Sequence, residues 1–250
     1  MILTCKVSAP SARLLRNEIE NLCGKRYTVT MDAEYADKGK GHLIRYGNPY
    51  PTVAKTNYNT PEFIELCVFK SRFSKFMNEK GFYAPVFHSG GKPEEFPVLI
   101  RKSLTGTGGK GIVIVKNMEE FEQQFESPYF WTPFVKMSSE FRVHVLGGNF
   151  IKIFKKIITT PGVEEAEYPI RNVASGYHYA RKEMHKENFK VLRQLEEKLR
   201  EVFPTGFYGL DVGWDVINKR YFIIEANSAP GLNTQTVKMY AEYLVKELEL

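Results

Sequence analysis

The chain has little cysteine and nothing arranged around it. Cys5, Cys23 and Cys67 form no C-x-x-C pair and have no His pair nearby, which excludes a disulfide framework and a zinc site and leaves buried thiols. Long apolar runs are also missing. Stretches such as Ile112 to Val115 and Phe222 to Ile224 fall far short of the roughly 20 residues of a membrane span, so no transmembrane helix and no membrane partner are expected. The opening Met1-Ile-Leu-Thr-Cys-Lys6 lacks a basic region followed by a long apolar stretch; no secretory signal is read, and cytoplasmic residence is the expectation. There is no internal repeat, no low-complexity tract and no run of like charge. What is present is the composition of a folded chain: 43% hydrophobic, 14% aromatic and 26% charged residues. Its 35 basic against 29 acidic residues, net +6, favour an anionic ligand without naming one.

At 250 residues the chain exceeds a typical domain of about 100 to 200, which allows one large unit or a few closely associated ones. A strand is expected at Ile2 to Val7 and a helix at Ser11 to Leu22, capped by Ser8 or Ser11. Residues 36 to 61 hold most of the early Gly, Pro and Asn and read as loops around one short strand, Leu43 to Tyr46. Thr60-Pro61-Glu62 reads as a cap with Pro at the first helical position, and apolar residues at 63, 66, 69, 73 and 76 predict one helix running to Gly81. Pro97 to Arg101 and Gly111 to Val115 read as a hairpin around a Gly-rich turn, followed by a short helix at Met118 to Phe125. Strands are predicted at Trp131 to Val135, Phe141 to Leu146 and Asn149 to Ile158, the last two turning at Gly147-Gly148. Residues 159 to 180 read as loop, His185 to Val202 as a helix, Tyr208 to Trp214 and Arg220 to Ala226 as strands, and 234 to 248 as a closing helix.

Gly106-Thr-Gly-Gly-Lys-Gly111 matches G-x-G-x-x-G, and such loops serve phosphates because backbone N–H groups can approach oxygens with no Cβ in the way. The dinucleotide-binding version must open a helix, yet Ile112 to Val115 continues as a strand. A Walker loop is excluded because Gly111, not Ser or Thr, follows Lys110. A protein kinase would place the loop between strands as here, but no H-R-D catalytic loop follows. A ligand-free hairpin turn therefore stays open for this loop taken alone. In Phe222-Ile-Ile-Glu-Ala-Asn227, strand alternation puts Glu225 and Asn227 on one face, and Asp211 ends a neighbouring run. One Asp, one Glu and one Asn supply the hard oxygen ligands that Mg²⁺ prefers.

With these residues in view, the sequence resembles the ATP-grasp superfamily, and most the carboxylate-amine ligases of the RimK and D-alanine:D-alanine ligase type, over roughly residues 62 to 236. Glu225-Ala-Asn-Ser-Ala-Pro-Gly-Leu232 is similar to the family's E-x-N-x-x-P-G signature with Asp upstream. The resemblance implies an α+β ATP-grasp fold in which two α+β subdomains grip ATP: a small subdomain at 61–135 carrying the hairpin and a C-terminal one at 136–250 carrying the metal site. A reduced N-terminal domain at 1–60 departs from the fuller one usual in the family, and short forms of this kind, with Ile44-Arg-Tyr-Gly-Asn48, resemble RimK-like proteins of bacteriophages. By the same likeness Asp211, Glu225 and Asn227 would hold two Mg²⁺ ions, with Mn²⁺ as a substitute, Glu225 bridging. Lys70 and Arg101 would bracket the α and β phosphates under the loop glycines Gly106, Gly108, Gly109 and Gly111. Counting back from the glycines selects Lys102 instead of Arg101; alternation lets one of the two face the nucleotide, and Arg101 is the choice. Thr132, Phe134 and Val135 resemble the adenine hinge, with Thr132 and Pro133 where the family carries a carboxylate, and Glu140 resembles the acid that accepts from the ribose hydroxyls. Arg142, Arg171 and Asn172 resemble residues on the transferred phosphate and the carboxylate substrate.

The chemistry implied is activation of a carboxylate by ATP to an acylphosphate, followed by amine attack, with small molecules or peptides as substrates. A kinase on the same fold, a nucleotide-binding regulator without turnover and a nucleic-acid binder are the rival expectations; no motif indicates nucleic acid.

Overall fold

The computed structural model describes the chain except residues 6–8, 33–34, 36–40, 51–55, 103, 105–110, 125–129, 163, 168, 173–174 and 181–185, with the backbone alone at 56 and 186–188. Three sheets organise it. The first is parallel, in the order β2-β1-β3-β4, from β1 (Ile2–Cys5), β2 (Thr28–Thr30), β3 (Leu43–Tyr46) and β4 (Thr56–Tyr58). Helix α1 (Pro10–Cys23) connects β1 to β2. Its N-cap is Ala9, with no side-chain cap: Pro10 at the first turn already removes one orphan donor, and Ser11 Oγ instead accepts from the Leu232 N–H at 3.0 Å. The Ser8 alternative lies outside the described residues. Strands β2 and β4, three residues each, are too short to carry a periodic signal, which is why the first sixty residues read as loop-rich.

The predicted helix from Pro61 is two helices, α2 (Pro61–Val68) and α3 (Lys70–Glu79), broken at Phe69, whose φ of −98° and ψ of 93° are not helical. On a straight helix Phe63 and Phe73 would point roughly 80° apart. The break lets Phe63, Phe73 and Met77 enter the same core. It also makes Lys70 the first residue of α3.

The second sheet is antiparallel, β5-β8-β6-β7, from β5 (His88–Ser89), β6 (Val98–Arg101), β7 (Ile112–Val115) and β8 (Phe130–Pro133), with α4 (Met118–Gln123) packed on it. The expected hairpin pairs Val98 with Val115 and Arg101 with Ile112.

The third sheet, β11-β10-β9-β12-β13, is antiparallel throughout: β9 (Ser139–Leu146), β10 (Asn149–Ile158), β11 (Tyr177–Ala180), β12 (Phe207–Asp215) and β13 (Arg220–Asn227). Strand β11 falls in a stretch expected to be loop and pairs with the end of β10. Gly147 and Gly148 join β9 to β10 at φ 58° and 74°, and a Cβ on Gly148 would lie 2.3 Å from Arg200 Cα, so glycine is required twice over. Behind this sheet α2, α3 and α5 (Lys186–Val202) bury Phe141, Val143, Val145, Leu210, Val212 and Ile223 in the main core. Helix α6 (Thr234–Glu247), opened by an Asn233/Thr236 capping box, packs against α1 and joins the parallel sheet to Leu146 and Phe207 in a second core.

Candidate functional site

The front faces of the second and third sheets enclose a cavity of about 650 Å³. In the third sheet the pairing register builds its charged wall: Arg142 on β9 lies opposite Asp211 on β12, and Asp211 lies opposite Glu225 on β13. One row across three strands therefore reads plus, minus, minus. Adjacent carboxylates repel, so such a row holds only with cations around it. Arg142 pairs with Asp211 through Nε and through Nη2 at 3.0 Å, Lys156 Nζ reaches Asp211 Oδ2 at 3.3 Å, and Lys70 Nζ donates to Glu225 Oε2. Burial pushes the Asp211 carboxyl up, but the charges of Arg142 and Lys156 outweigh it and hold the group below the usual carboxylate range.

A bulge sets what the last strand shows the cavity. Asp211 pairs with Glu225 but Val212 pairs with Ile223, leaving Ile224 as the extra residue. Glu225 and Asn227 thus share a face as alternation predicts, while Ile224 and Phe222 also turn toward the cavity and Ile223 stays in the core. Two carboxylates and an amide oxygen converge, a donor set that fits a hard cation such as Mg²⁺ or Mn²⁺ with the remaining positions left to phosphate and water. Among the described residues no group of three or more His, Cys, Asp or Glu side chains could hold a metal, so any cation here would rest on the mixed carboxylate and amide set. Asn227 Oδ1 accepts from the Ala229 N–H at 2.9 Å, which fixes its orientation and leaves a lone pair.

The opposite wall carries Arg101, 8% exposed and lining the cavity, whereas its neighbour Lys102 is exposed and lies outside it. Burial lowers the Arg101 guanidinium, partly offset by the charge of Glu225 across the cavity. Thr132, Pro133, Phe134 and Val135 run along one end, where Leu99, Ile112, Met137 and Phe222 supply apolar surface. The Phe134 N–H donates to Pro97 O at 3.1 Å, so that donor is committed to the fold. Met137 can lie flat on β12 because residue 213 is glycine; a Cβ there would sit 1.7 Å from the Met137 sulfur. Gly111, at φ 72°, closes the hairpin by accepting from the Lys102 N–H at 3.2 Å. Gly106, Gly108 and Gly109 lie outside the described residues.

Glu140 is buried and paired with Lys156; burial pushes its carboxyl up, and Lys156 only partly restores it. Arg171 lines the cavity, but its Nε donates to Glu165 at 2.9 Å and its Nη2 to Met137 O at 2.8 Å, so it ties its loop to the segment between β8 and β9. Asn172 also lines the cavity, with Oδ1 accepting from the Ser175 N–H at 2.9 Å. Two side chains of the cavity wall escaped the sequence reading. Lys156 joins Glu140 to Asp211, and Tyr179 on β11 stands with its ring 5.2 Å from the Arg142 guanidinium and 5.7 Å from the Lys156 ammonium. The cavity lining holds five basic side chains (Lys70, Arg101, Arg142, Lys156, Arg171) against three acidic ones (Glu140, Asp211, Glu225), an excess of positive charge that favours an anion.

No protein-family model matches the chain, and no curated protein does. Solved structures do. A RimK-domain ATP-grasp protein from Sphaerobacter thermophilus aligns over 97% of this chain and 99% of its own, at 13% identity and a TM-score of 0.64. A D-alanine–D-alanine ligase from Bacillus anthracis aligns over 99% and 97%, at 14% identity and a TM-score of 0.67. The ATP-grasp ligase PsnB, solved with a minimal precursor, aligns over 98% of each chain at 10% identity and a TM-score of 0.67. The resemblance to ATP-grasp proteins holds, and the fold of this chain is the ATP-grasp fold. Among the described residues no helix is long and apolar enough to cross a membrane.

Proposed function

We propose that the chain is an ATP- and Mg²⁺-dependent carboxylate-amine ligase. The observation that carries this reading is the Arg142, Asp211, Glu225 row flanked by Lys70 and Lys156, set in the cavity of an ATP-grasp fold. Ligases among the structures it resembles support the same class. In this reading the segments 61–135 and 136–250 form the two lobes around the nucleotide. Adenine lies among Leu99, Ile112, Met137 and Phe222 at the Thr132–Val135 hinge. Glu140 accepts from the ribose hydroxyls, and Lys70 and Arg101 meet the α and β phosphates. Asp211, Glu225 and Asn227 hold the metal, whose charge offsets that of the triphosphate.

Arg142 and Lys156 stand beside the metal carboxylates, where negative charge gathers on the transferred phosphoryl group and where fixed cations stabilise it most. A substrate carboxylate oxygen bonds to the γ-phosphorus as the bond to ADP breaks. An amine then attacks the acyl carbon of the acylphosphate, loses a proton and releases phosphate. No side chain is needed as a nucleophile, and Arg171 and Asn172 shape the loop at the substrate end. The substrates are small or peptidic carboxylates and amines. The test is interception: with a carboxylate, ATP and hydroxylamine the protein is expected to form a hydroxamate with ADP and phosphate. A stable phosphorylated alcohol across a broad acceptor screen, with no hydroxamate from any acid, would favour a kinase on the same site.

A further inference from the structure

We propose that Lys70 is an internal competitor for the metal at Glu225, so that the site discriminates a metal–triphosphate complex from a free divalent cation. This rests on the ATP and metal reading above and adds a specificity role for Lys70 to it. The three cations around the carboxylate row are not equivalent. Arg142 and Lys156 stand on β9 and β10 inside the sheet that carries Asp211, and Asp211 keeps both as partners. Lys70 comes from outside that sheet: it is the first residue of α3, which packs against the edge strand β13, and Glu225 is its ion-pair partner.

The site's electrostatics make that pair conditional. A helix N-terminus carries partial positive charge, and the first turn of α3 contains no acidic residue, so Lys70 adds a full charge to an already positive end. Without an anion in the cavity, Glu225 is the charge that offsets it. A bare metal ion reaching Glu225 must displace the ammonium and leave it beside the positive helix end, facing the metal itself. A triphosphate changes the balance, because its oxygens take Lys70 and free Glu225 for the metal. Arg101, whose guanidinium senses the charge of Glu225, reinforces the same preference. Metal and phosphate are then mutually dependent ligands, and the linkage runs equally in both directions.

The probe is Mn²⁺ alone, titrated without nucleotide and followed by the paramagnetic resonance signal of the free ion. Lys70→Met removes the competing charge and is expected to tighten Mn²⁺ binding about tenfold, within the ordinary range of coupling between sites. Lys70→Arg keeps the charge and is expected to bind Mn²⁺ no better than the unaltered protein, which preserves a falsifiable arm even where the Met variant folds poorly. Equal, weaker or absent Mn²⁺ binding in a folded Lys70→Met variant, or tighter binding in Lys70→Arg, overturns the proposal. Failure of ATP to bind the unaltered protein, with the Mn²⁺ gain still seen in Lys70→Met, would instead overturn the nucleotide reading and leave the competition standing.

Discussion

The two walls of the cavity differ in what they bring and in how firmly they are held. The β9–β13 wall carries Glu140, Arg142, Lys156, Asp211 and Glu225, and the core behind it draws on three strands of that sheet and on α2, α3 and α5. The β5–β8 wall contributes Arg101 and apolar surface, and among the described residues its own core is Val98, Ile100, Val115, Phe121 and Trp131. Charges that must oppose one another at close range sit where sheet register and packing fix them. The wall that offers mainly apolar surface has a smaller core and less to resist opening.

The sharpest way to break that contrast is to remove charge from the firm wall. Glu225→Gln is expected to lower turnover on the order of 10²-fold or more with the fold intact. Asp211→Asn should match that loss and also destabilise the protein by about 3 to 5 kcal/mol, because Arg142 and Lys156 would be left buried without their carboxylate. Normal turnover in both variants, or equal unfolding midpoints, would remove the distinction between a carboxylate proposed as a metal ligand at the sheet edge and one inside a buried ion network. On the looser wall the expected effects are smaller. Arg101→Ala should weaken ATP binding by about 1.5 to 3 kcal/mol by calorimetry, the range for a hydrogen bond to a charged group, while Lys102→Ala should do less.

A third test probes the firm wall by pH. His144 is buried two residues along β9 from Arg142, on the same face, between Phe154 and Tyr240, and burial lowers it to about 4. A group held below its unfolded value of about 6.5 contributes its full stability above that pH and loses it as pH falls toward the folded value. Between pH 7 and pH 5 the loss should be about 2 kcal/mol, read from denaturant unfolding, and His144→Gln should flatten that slope. The same slope in both proteins would show that His144 is not the titrating group.

How much of this was legible depends on what each residue needed from the rest of the chain. Glu225 and Asn227 were readable because both lie on the same side of the bulge at Ile224, where alternation alone gives the shared face, and Asp211 because it sits in the long run of β12. Arg101 and Lys102 were separable in principle for the same reason, and the structure turns Arg101 inward. Lys156 was not readable. The β9–β10 hairpin shifts register between Phe150 and Lys152, and that extra residue carries Lys156 rather than Lys155 to the partner position of Glu140. The break at Phe69 was hidden by apolar spacing that continues smoothly across it, and only the shared core of Phe63 and Phe73 explains it. Tyr179 lay in a four-residue edge strand after a turn-rich stretch, and β2 and β4 were shorter still; such strands exist because a neighbour pairs with them.

Hydrogen exchange with and without ATP and Mg²⁺ tests most directly whether the two walls close on one nucleotide. Without ligand, residues 98–101 and 130–135 should exchange faster than 141–145 and 208–214. With ATP and Mg²⁺ the first pair of segments should slow markedly while the second stays slow. Unchanged exchange in both walls, or slowing confined to the parallel sheet near the N-terminus, would contradict an ATP cleft between them.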